Sequence, residues 1–337
     1  TRWNRVVFDE AHELRNPKSK RLGVALDLIS DIRWLLTGTP VFNSKKDYRT
    51  LLGIVTGNKP FTGNHKRIIL RRTKSDLVKY DEALAIPPCE FECLELERYP
   101  EEEAGYTSVF NQFSERVKLA DDTTIAMVVL EGFLRMRQYS THPEVYHCSL
   151  LPETGPNMGR SKKIETLARM ISEHPTEKTL VFCQFRREMD LIQETLYPTP
   201  IYRIDGSTAD KDIEIDGFKN HIGGCVFIIQ IKAGGQGLNL QDATRVYIMS
   251  PAWNPATELQ AISRSHRKGQ TKKVVIKKLV YVSSSDTPSI DEAIVELQDH
   301  KSMVCSEVLN DARLVDQLPK LKRRTNMVKM FRKFFLG

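Results

Sequence analysis

Short apolar runs that stop at acidic or glycine-bearing turns set the rhythm of the chain. Arg5-Val6-Val7-Phe8 is β-branched and aromatic and ends in two carboxylates, Asp9-Glu10, ahead of a polar loop at Arg15-Asn16-Pro17-Lys18. Leu22, Leu26 and Ile29 then recur at helical spacing, and Trp34-Leu35-Leu36-Thr37 is a second apolar run stopped by Gly38-Thr39-Pro40. The pattern predicts strand, helix, strand, with polar groups at the strand ends, which is the order of a parallel α/β sheet. From about Asn58 to Arg160 the rhythm changes. Prolines (Pro60, Pro87-Pro88) interrupt amphipathic stretches such as 128–138, so this region reads as a mainly helical insertion or linker. The alternation then resumes. Residues 161–171 and 186–196 predict helices, and 179–183, 201–205, 225–231, 245–249 and 274–282 predict strands. Such regular alternation implies right-handed crossovers and a covered parallel sheet. No repeat of fixed period and no low-complexity segment is visible.

Composition narrows the class. The 337 residues are 40% hydrophobic, 28% charged and 8% aromatic, as in soluble globular proteins, and the length suits two domains. No window approaches the ~18 to 20 apolar residues of a membrane helix. The formal charge of +7 is concentrated: Lys320, Lys322, Arg323, Arg324, Lys329, Arg332 and Lys333 lie in the last stretch with no acid among them. The rest is therefore balanced. Six cysteines are scattered, with Cys183 and Cys225 in or beside apolar runs, as expected of reduced thiols in a cytosolic or nuclear protein. Cys89, Cys93, His147 and Cys148 lack the spacing of a zinc site, so a structural metal is not expected. The start, Thr1-Arg2-Trp3, has no initiator Met and no signal-peptide pattern, and reads as the middle of a longer protein.

Four stretches carry candidate chemistry. Asp9-Glu10-Ala11-His12 at a strand end has the form of a Walker B element, in which one carboxylate holds Mg²⁺ and the next polarises water. Two acids there also suit a plain helix start. Thr37-Gly38-Thr39-Pro40 ends the next strand and reads either as a turn or as hydroxyls facing the same crevice. The glycine-rich run from Lys232 to Leu240 permits close backbone approach to phosphate, on ATP or on a nucleic acid. In the stretch from Trp253 to Gln270, Asn254 and Pro255 start a helix, Gly269 ends it, and Arg264 and Arg267 emerge three residues apart near its C-terminus. They suit bidentate contacts to terminal phosphates, or simply offset the helix dipole.

Together with Leu70-Arg71-Arg72-Thr73-Lys74, Leu134-Arg135-Met136-Arg137-Gln138 with His142-Pro143, Leu180-Val181-Phe182-Cys183-Gln184 and Asp205-Gly206-Ser207, this ordered set resembles the helicase-like ATPases of the Swi/Snf type, in helicase superfamily two. The resemblance covers about residues 1–282. It implies an α/β fold of two RecA-like lobes with parallel sheets, binding ATP and Mg²⁺ in the cleft between them and moving along double-stranded DNA. It implies that Asp9 and Glu10 serve Mg²⁺ and the attacking water, and that Arg264 and Arg267 are arginine fingers. By the same likeness His12, Thr37, Gly38, Thr39, Gln260 and Gly237 belong to ATP binding or coupling. Gln184, Lys232, Gly234, Gly235, Arg71, Arg72, Lys74 and Trp253 fall to DNA. The implied divisions are 1–60 for the C-terminal half of lobe one, 61–157 for the helical insertion and linker, 158–285 for lobe two, and 286–337 for a brace helix and basic tail. Nucleosomes or transcription machinery are implied as partners, and the nucleus, or a viral factory if virus-encoded, as location.

Departures from the family pattern matter too. No Gly-x-x-x-x-Gly-Lys-Thr/Ser loop occurs, nor any Gly-Lys pair, so these residues alone are expected not to hydrolyse ATP and to be part of a larger enzyme. Ser250-Pro251-Ala252 and Lys268 stand where family members often carry other residues. One rival reading is a non-catalytic DNA-binding or scaffold piece. Another, an RNA helicase of the DEAH-box kind, fits poorly, because that class shows Ser-Ala-Thr and Gln-Arg-x-Gly-Arg where this chain has Thr37-Gly38-Thr39 and Gln260-Ala261-Ile262-Ser263-Arg264. The tail reads either as a nucleic-acid or localisation signal, or as a surface helix with Phe331, Phe334 and Phe335 packed on the lobe.

Overall fold

The protein is described from a computed structural model, which describes residues 1–41, 45–57, 68–72, 76, 78–79, 81, 85–150, 159–231, 233, 238–283, 286–309 and 334–336. The chain forms two units: Thr1–Ala85 with Asn254–Ala256 and Gln298–Leu318, and Ile86–Trp253 with Thr257–Leu297 and Pro319–Gly337.

In the first unit, strands β1 (Arg2–Phe8) and β2 (Ile29–Leu35) pair in parallel, with Phe8 opposite Leu35. Helix α1 (Lys20–Asp27) connects them, started by Ser19, whose side chain accepts from the Leu22 amide. Ile29 lies in β2 rather than in the helix, because α1 ends at Asp27 and the chain turns straight into the strand. Helix α2 (Lys45–Thr56) follows. Leu14, Leu22, Ala25, Leu51 and Ile54 form the core of this unit, with Phe8, Leu26 and Leu35 against it. Trp3, Val7, Ile32 and Trp34 are exposed.

The second unit is built on a six-stranded, all-parallel sheet in the order β3-β8-β7-β4-β6-β5. Its strands are β3 (Cys89–Leu96), β4 (Thr179–Cys183), β5 (Ile201–Ile204), β6 (Val226–Gln230), β7 (Arg245–Ile248) and β8 (Val274–Tyr281). The α/β class and parallel sheets expected from the sequence are what the chain adopts. Strand β3 is an addition within the stretch expected to be helical. Its alternating Glu90 and Glu92 suit an edge strand and pair with Lys273, just before β8, and Lys277, within it. Helices α6 (Lys162–Ser172) and α7 (Arg186–Leu196) bury Leu167, Met170, Met189 and Ile192 against Val181, Ile228 and Tyr247 of the sheet.

The stretch before α6 forms α3 (Pro100–Leu119), α4 (Ile125–Tyr139) and α5 (Pro143–Leu150). Tyr106, Phe113, Phe133 and Met136 from α3 and α4 make a separate core with Ile290 and Ile294 of the C-terminal helix and with Phe334 and Phe335. Two further short helices are α8 (Lys211–Asn220), and α9 (Pro255–Ile262), which precedes β8. The C-terminal helix α10 spans Ile290–Leu309. No helix among the described residues is long and apolar enough to cross a membrane.

Candidate functional site

In the first unit the parallel register brings two of the expected motifs together. With Phe8 and Leu35 at matching ends, the Leu36 amide donates to the Phe8 carbonyl and the Ala11 amide to the Leu36 carbonyl, both at 2.9 Å. Residues 9–12 and 36–39 are thereby laced side by side. Buried His12 carries the link onward: its Nδ1 lies 3.3 Å from Thr37 Oγ1 and 3.3 Å from Glu10 Oε2. Thr37 Oγ1 also accepts from the Thr39 amide at 3.1 Å. Glu10 has φ 44° and ψ 45°, the left-handed region that a non-glycine residue occupies only at a cost. Asp9 is exposed, and its carboxylate accepts the Glu10 amide at 2.8 Å.

Two exposed carboxylates at a strand end fit a hard divalent cation such as Mg²⁺. No group of three or more His, Cys, Asp or Glu side chains among the described residues could hold a metal.

In the second unit the parallel sheet lines up the C-terminal ends of β4, β6 and β5, where open α/β sheets bind ligands. The Gln230 side chain ties these ends together, accepting the Gly206 amide and donating to the Gln184 carbonyl, both at 3.2 Å. Beside it, Asp205 is held ionised well below the usual carboxylate range. Burial opposes this but is outweighed by hydrogen bonds from Ser207 and from the guanidiniums of Arg186 and Arg203. Arg186, Gly206 and Ser207 remain exposed, and Lys211 Nζ donates to the Ala233 carbonyl at the start of the glycine-rich run. These bonds fix the backbone at the ends of the three strands.

The stretch after α9 is a tightly pinned turn. The Leu240 amide donates to the Arg264 carbonyl at 3.1 Å. Ser265, fully buried between the two arginines, donates through Oγ to the Ala243 carbonyl at 2.7 Å. Gln270 Nε2 donates to the Gln241 carbonyl at 2.7 Å, and His266 Nε2 lies 2.8 Å from the Pro87 carbonyl. The helix ends at Ile262 rather than running on to Gly269 as expected, and these bonds hold Arg264 and Arg267 half-buried in the turn that follows, with no ion pair to Arg267 among the described residues. Gln260 lies half-buried on α9 itself, and Trp253 is half-buried edge-to-face with Phe133, ring centroids 6.0 Å apart.

Of the other expected residues, Arg71 is half-buried, Arg72 and Gly38 are exposed, and Gln184 sits half-buried where β4 ends. Lys74, Lys232, Gly234, Gly235 and Gly237 lie outside the described residues. Sequence reasoning missed Gln230, although its place at a strand end two residues before Lys232 was a signal. It also missed Ser265, whose small polar side chain in a run of cations gave no hint of burial.

One unit thus carries a carboxylate pair at a strand end and the other an all-parallel sheet followed by a paired-arginine turn, within an α/β fold. Two family descriptions match: "SNF2-related domain" over residues 1–65 and "Helicase conserved C-terminal domain" over 162–269. The chain belongs to the Swi/Snf-type helicase-like family.

It is 28% identical to the human helicase-like transcription factor, covering 89% of this chain and 42% of that protein. It is 27% identical to mouse SWI/SNF-related matrix-associated actin-dependent regulator of chromatin subfamily A member 1, over 98% of this chain and 34% of that one. To the probable global transactivator of Orgyia pseudotsugata multicapsid polyhedrosis virus it is 26% identical, over 93% and 68%. The chain thus spans less than half the length of the first two relatives.

Proposed function

We propose that the polypeptide is a DNA-stimulated ATPase that moves along double-stranded DNA and remodels DNA or the proteins bound to it. The observation that carries this reading is the turn after α9. Buried Ser265 and Gln270 fix its backbone while Arg267 is left without an ion pair among the described residues, as a cation waiting for a phosphate should be. The lacing of His12 to Thr37 supports the same reading, because it joins the carboxylate pair to the next strand end.

In this mechanism Mg²⁺ with ATP supplies charge neutralisation of the phosphates. Asp9 would hold the ion, Glu10 would orient the attacking water and take its proton, and Arg264 and Arg267 would stabilise the charge that develops in transfer. His12, Thr37, Gly38, Thr39, Gln260 and Gly237 relay nucleotide state toward DNA. Gln184, Lys232, Gly234, Gly235, Arg71, Arg72, Lys74 and Trp253 meet the duplex, with the cations and backbone amides on phosphates. Such a grip is independent of sequence and sensitive to salt.

The four divisions of the chain follow this assignment: 1–60, 61–157 and 158–285 for half-lobe, insertion and second lobe, and 286–337 for brace and tail. With no Gly-Lys pair among them, these residues alone do not complete a phosphate site. The relatives named as a transcription factor and a chromatin regulator favour a nuclear role with nucleosomes or transcription machinery, and the viral relative allows the same work in a viral factory.

The test is ATP turnover of the complete polypeptide with and without duplex DNA. Arg267→Ala abolishes the DNA-stimulated rate, a loss on the order of a thousandfold, and leaves DNA affinity within about twofold. Wild-type turnover in that variant overturns the finger assignment.

A further inference from the structure

The three residues Ser250, Pro251 and Ala252, which depart from the family pattern, join β7 to the segment carrying Trp253 and then α9. Each is held by a different charged side chain. Ser250 Oγ accepts from Lys163 Nζ of α6 at 3.1 Å, and that ammonium also meets Asp291 of α10 at 2.6 Å. The Pro251 carbonyl accepts from Arg137 Nη2 of α4 at 3.2 Å. The Ala252 amide donates to Glu258 Oε1 at 2.6 Å, and Glu258 Oε2 accepts from Lys278 Nζ of β8 at 3.1 Å. Lys163, Glu258 and Lys278 are fully buried, and Asp291 very nearly so.

Buried charges are a poor way to gain stability, since packed hydrophobic side chains often do as well. They are a good way to fix one geometry, because a shift of the backbone they hold leaves buried polar groups unpaired. Here the fixed geometry is the path from the Trp253 segment to the arginine-bearing turn, and Glu258 is common to both: it sits on α9 and grips the connection before it.

We propose that Arg137 and the Glu258–Lys278 pair are positioning residues that set Arg264 and Arg267 through the 250–252 connection, so that what happens at the Trp253 segment changes how the fingers are presented. The proposal rests on the finger assignment above. It gives Arg137 of α4, within one of the motifs shared with the family, a positioning role in hydrolysis.

The experiment is steady-state ATP turnover of the complete polypeptide with duplex DNA. Two independent variants are used. Arg137→Met leaves only a neutral carbonyl without its donor, and the double variant Glu258→Gln with Lys278→Met removes both charges of the pair together. In each, DNA-stimulated kcat falls about tenfold or more, while KM for ATP and DNA affinity stay within about twofold and near-UV circular dichroism is native. Arg137→Lys recovers part of the rate, because an ammonium can still reach the carbonyl.

Wild-type kcat in either variant that folds, or a loss lying wholly in KM, overturns the proposal. Arg264→Ala and Arg267→Ala run alongside: full turnover in these means that the finger assignment itself is wrong. Lost turnover in them with wild-type rates in Arg137→Met leaves that assignment standing and removes this one.

Discussion

Glu188 shows how much a single side chain is set by its surroundings. Fully buried at the start of α7, it accepts the Gln184 and Phe185 amides through one oxygen, at 2.8 and 3.0 Å, while the other oxygen has no hydrogen-bond partner. Burial pushes its carboxyl from 4.5 up to about 7, against the pull of those amides and of Lys163 and Arg137. The folded protein therefore keeps a proton that the unfolded chain releases above pH 4.5. Its contribution to stability falls as pH rises from about 4.5 to about 7 and is level beyond. Glu188→Gln, which cannot ionise, removes this slope. The midpoint of urea unfolding is expected to drop less between pH 5 and 7.5 in the variant than in the wild type, and an equal drop in both refutes the assignment. From the sequence Glu188 is one more acid in a helix with a polar face. Asp9, Glu10, Arg264 and Arg267, by contrast, stand out in the sequence, because the proposed chemistry requires those residue types beside a strand end and after a helix.

Among the elements, the strands of the second unit were the most legible and the insertion the least. A fully buried parallel strand has to be a short apolar run, so β4 and β6 stand out in the sequence. Strand β3 does not, because an edge strand with charged residues outward looks like any polar stretch until Lys273 and Lys277 are seen beside it.

The α3–α4 hairpin rests on a close approach that the sequence hides. A Cβ on Gly105 of α3 would come 1.8 Å from Tyr139 Oη and 2.7 Å from the adjoining ring carbon of α4. Gly105→Ala is thus expected to cost about 1–3 kcal/mol by overpacking, despite alanine's better helix propensity. Adding Tyr139→Phe, which removes the clashing hydroxyl, returns part of that loss in thermal or urea unfolding. Stability above wild type in the single variant counts against the packing.

Across the whole molecule, charge and aromatic residues divide differently from what composition suggests. The excess of cations sits in the final stretch, outside the described residues, and the DNA reading rests on ordered motifs. Near the very end of that stretch, Phe334 and Phe335 are buried among Phe110, Phe113 and Phe133, with Phe334 and Phe133 centroids 5.2 Å apart. These two rings are packed, but against α3 and α4 of the helical insertion and α10 rather than on the lobe, and Phe331 lies outside the described residues. Phe335→Ala is expected to cost about 3–5 kcal/mol, as for other buried phenylalanines, read as a lower urea midpoint of the second unit. A midpoint within error of wild type means that the rings do not hold that core. The sequence by itself determined the parallel α/β class, the family and the candidate chemistry at strand ends, because short-range periodicity and fixed motifs carry them. Only the tertiary structure decided that Gln230 ties three strand ends together, that Ser265 and Gln270 pin the arginine turn, and that the 250–252 connection is gripped by charges from three elements. Those contacts join residues far apart in the chain, and burial alone turns their ordinary polar side chains into fixed constraints.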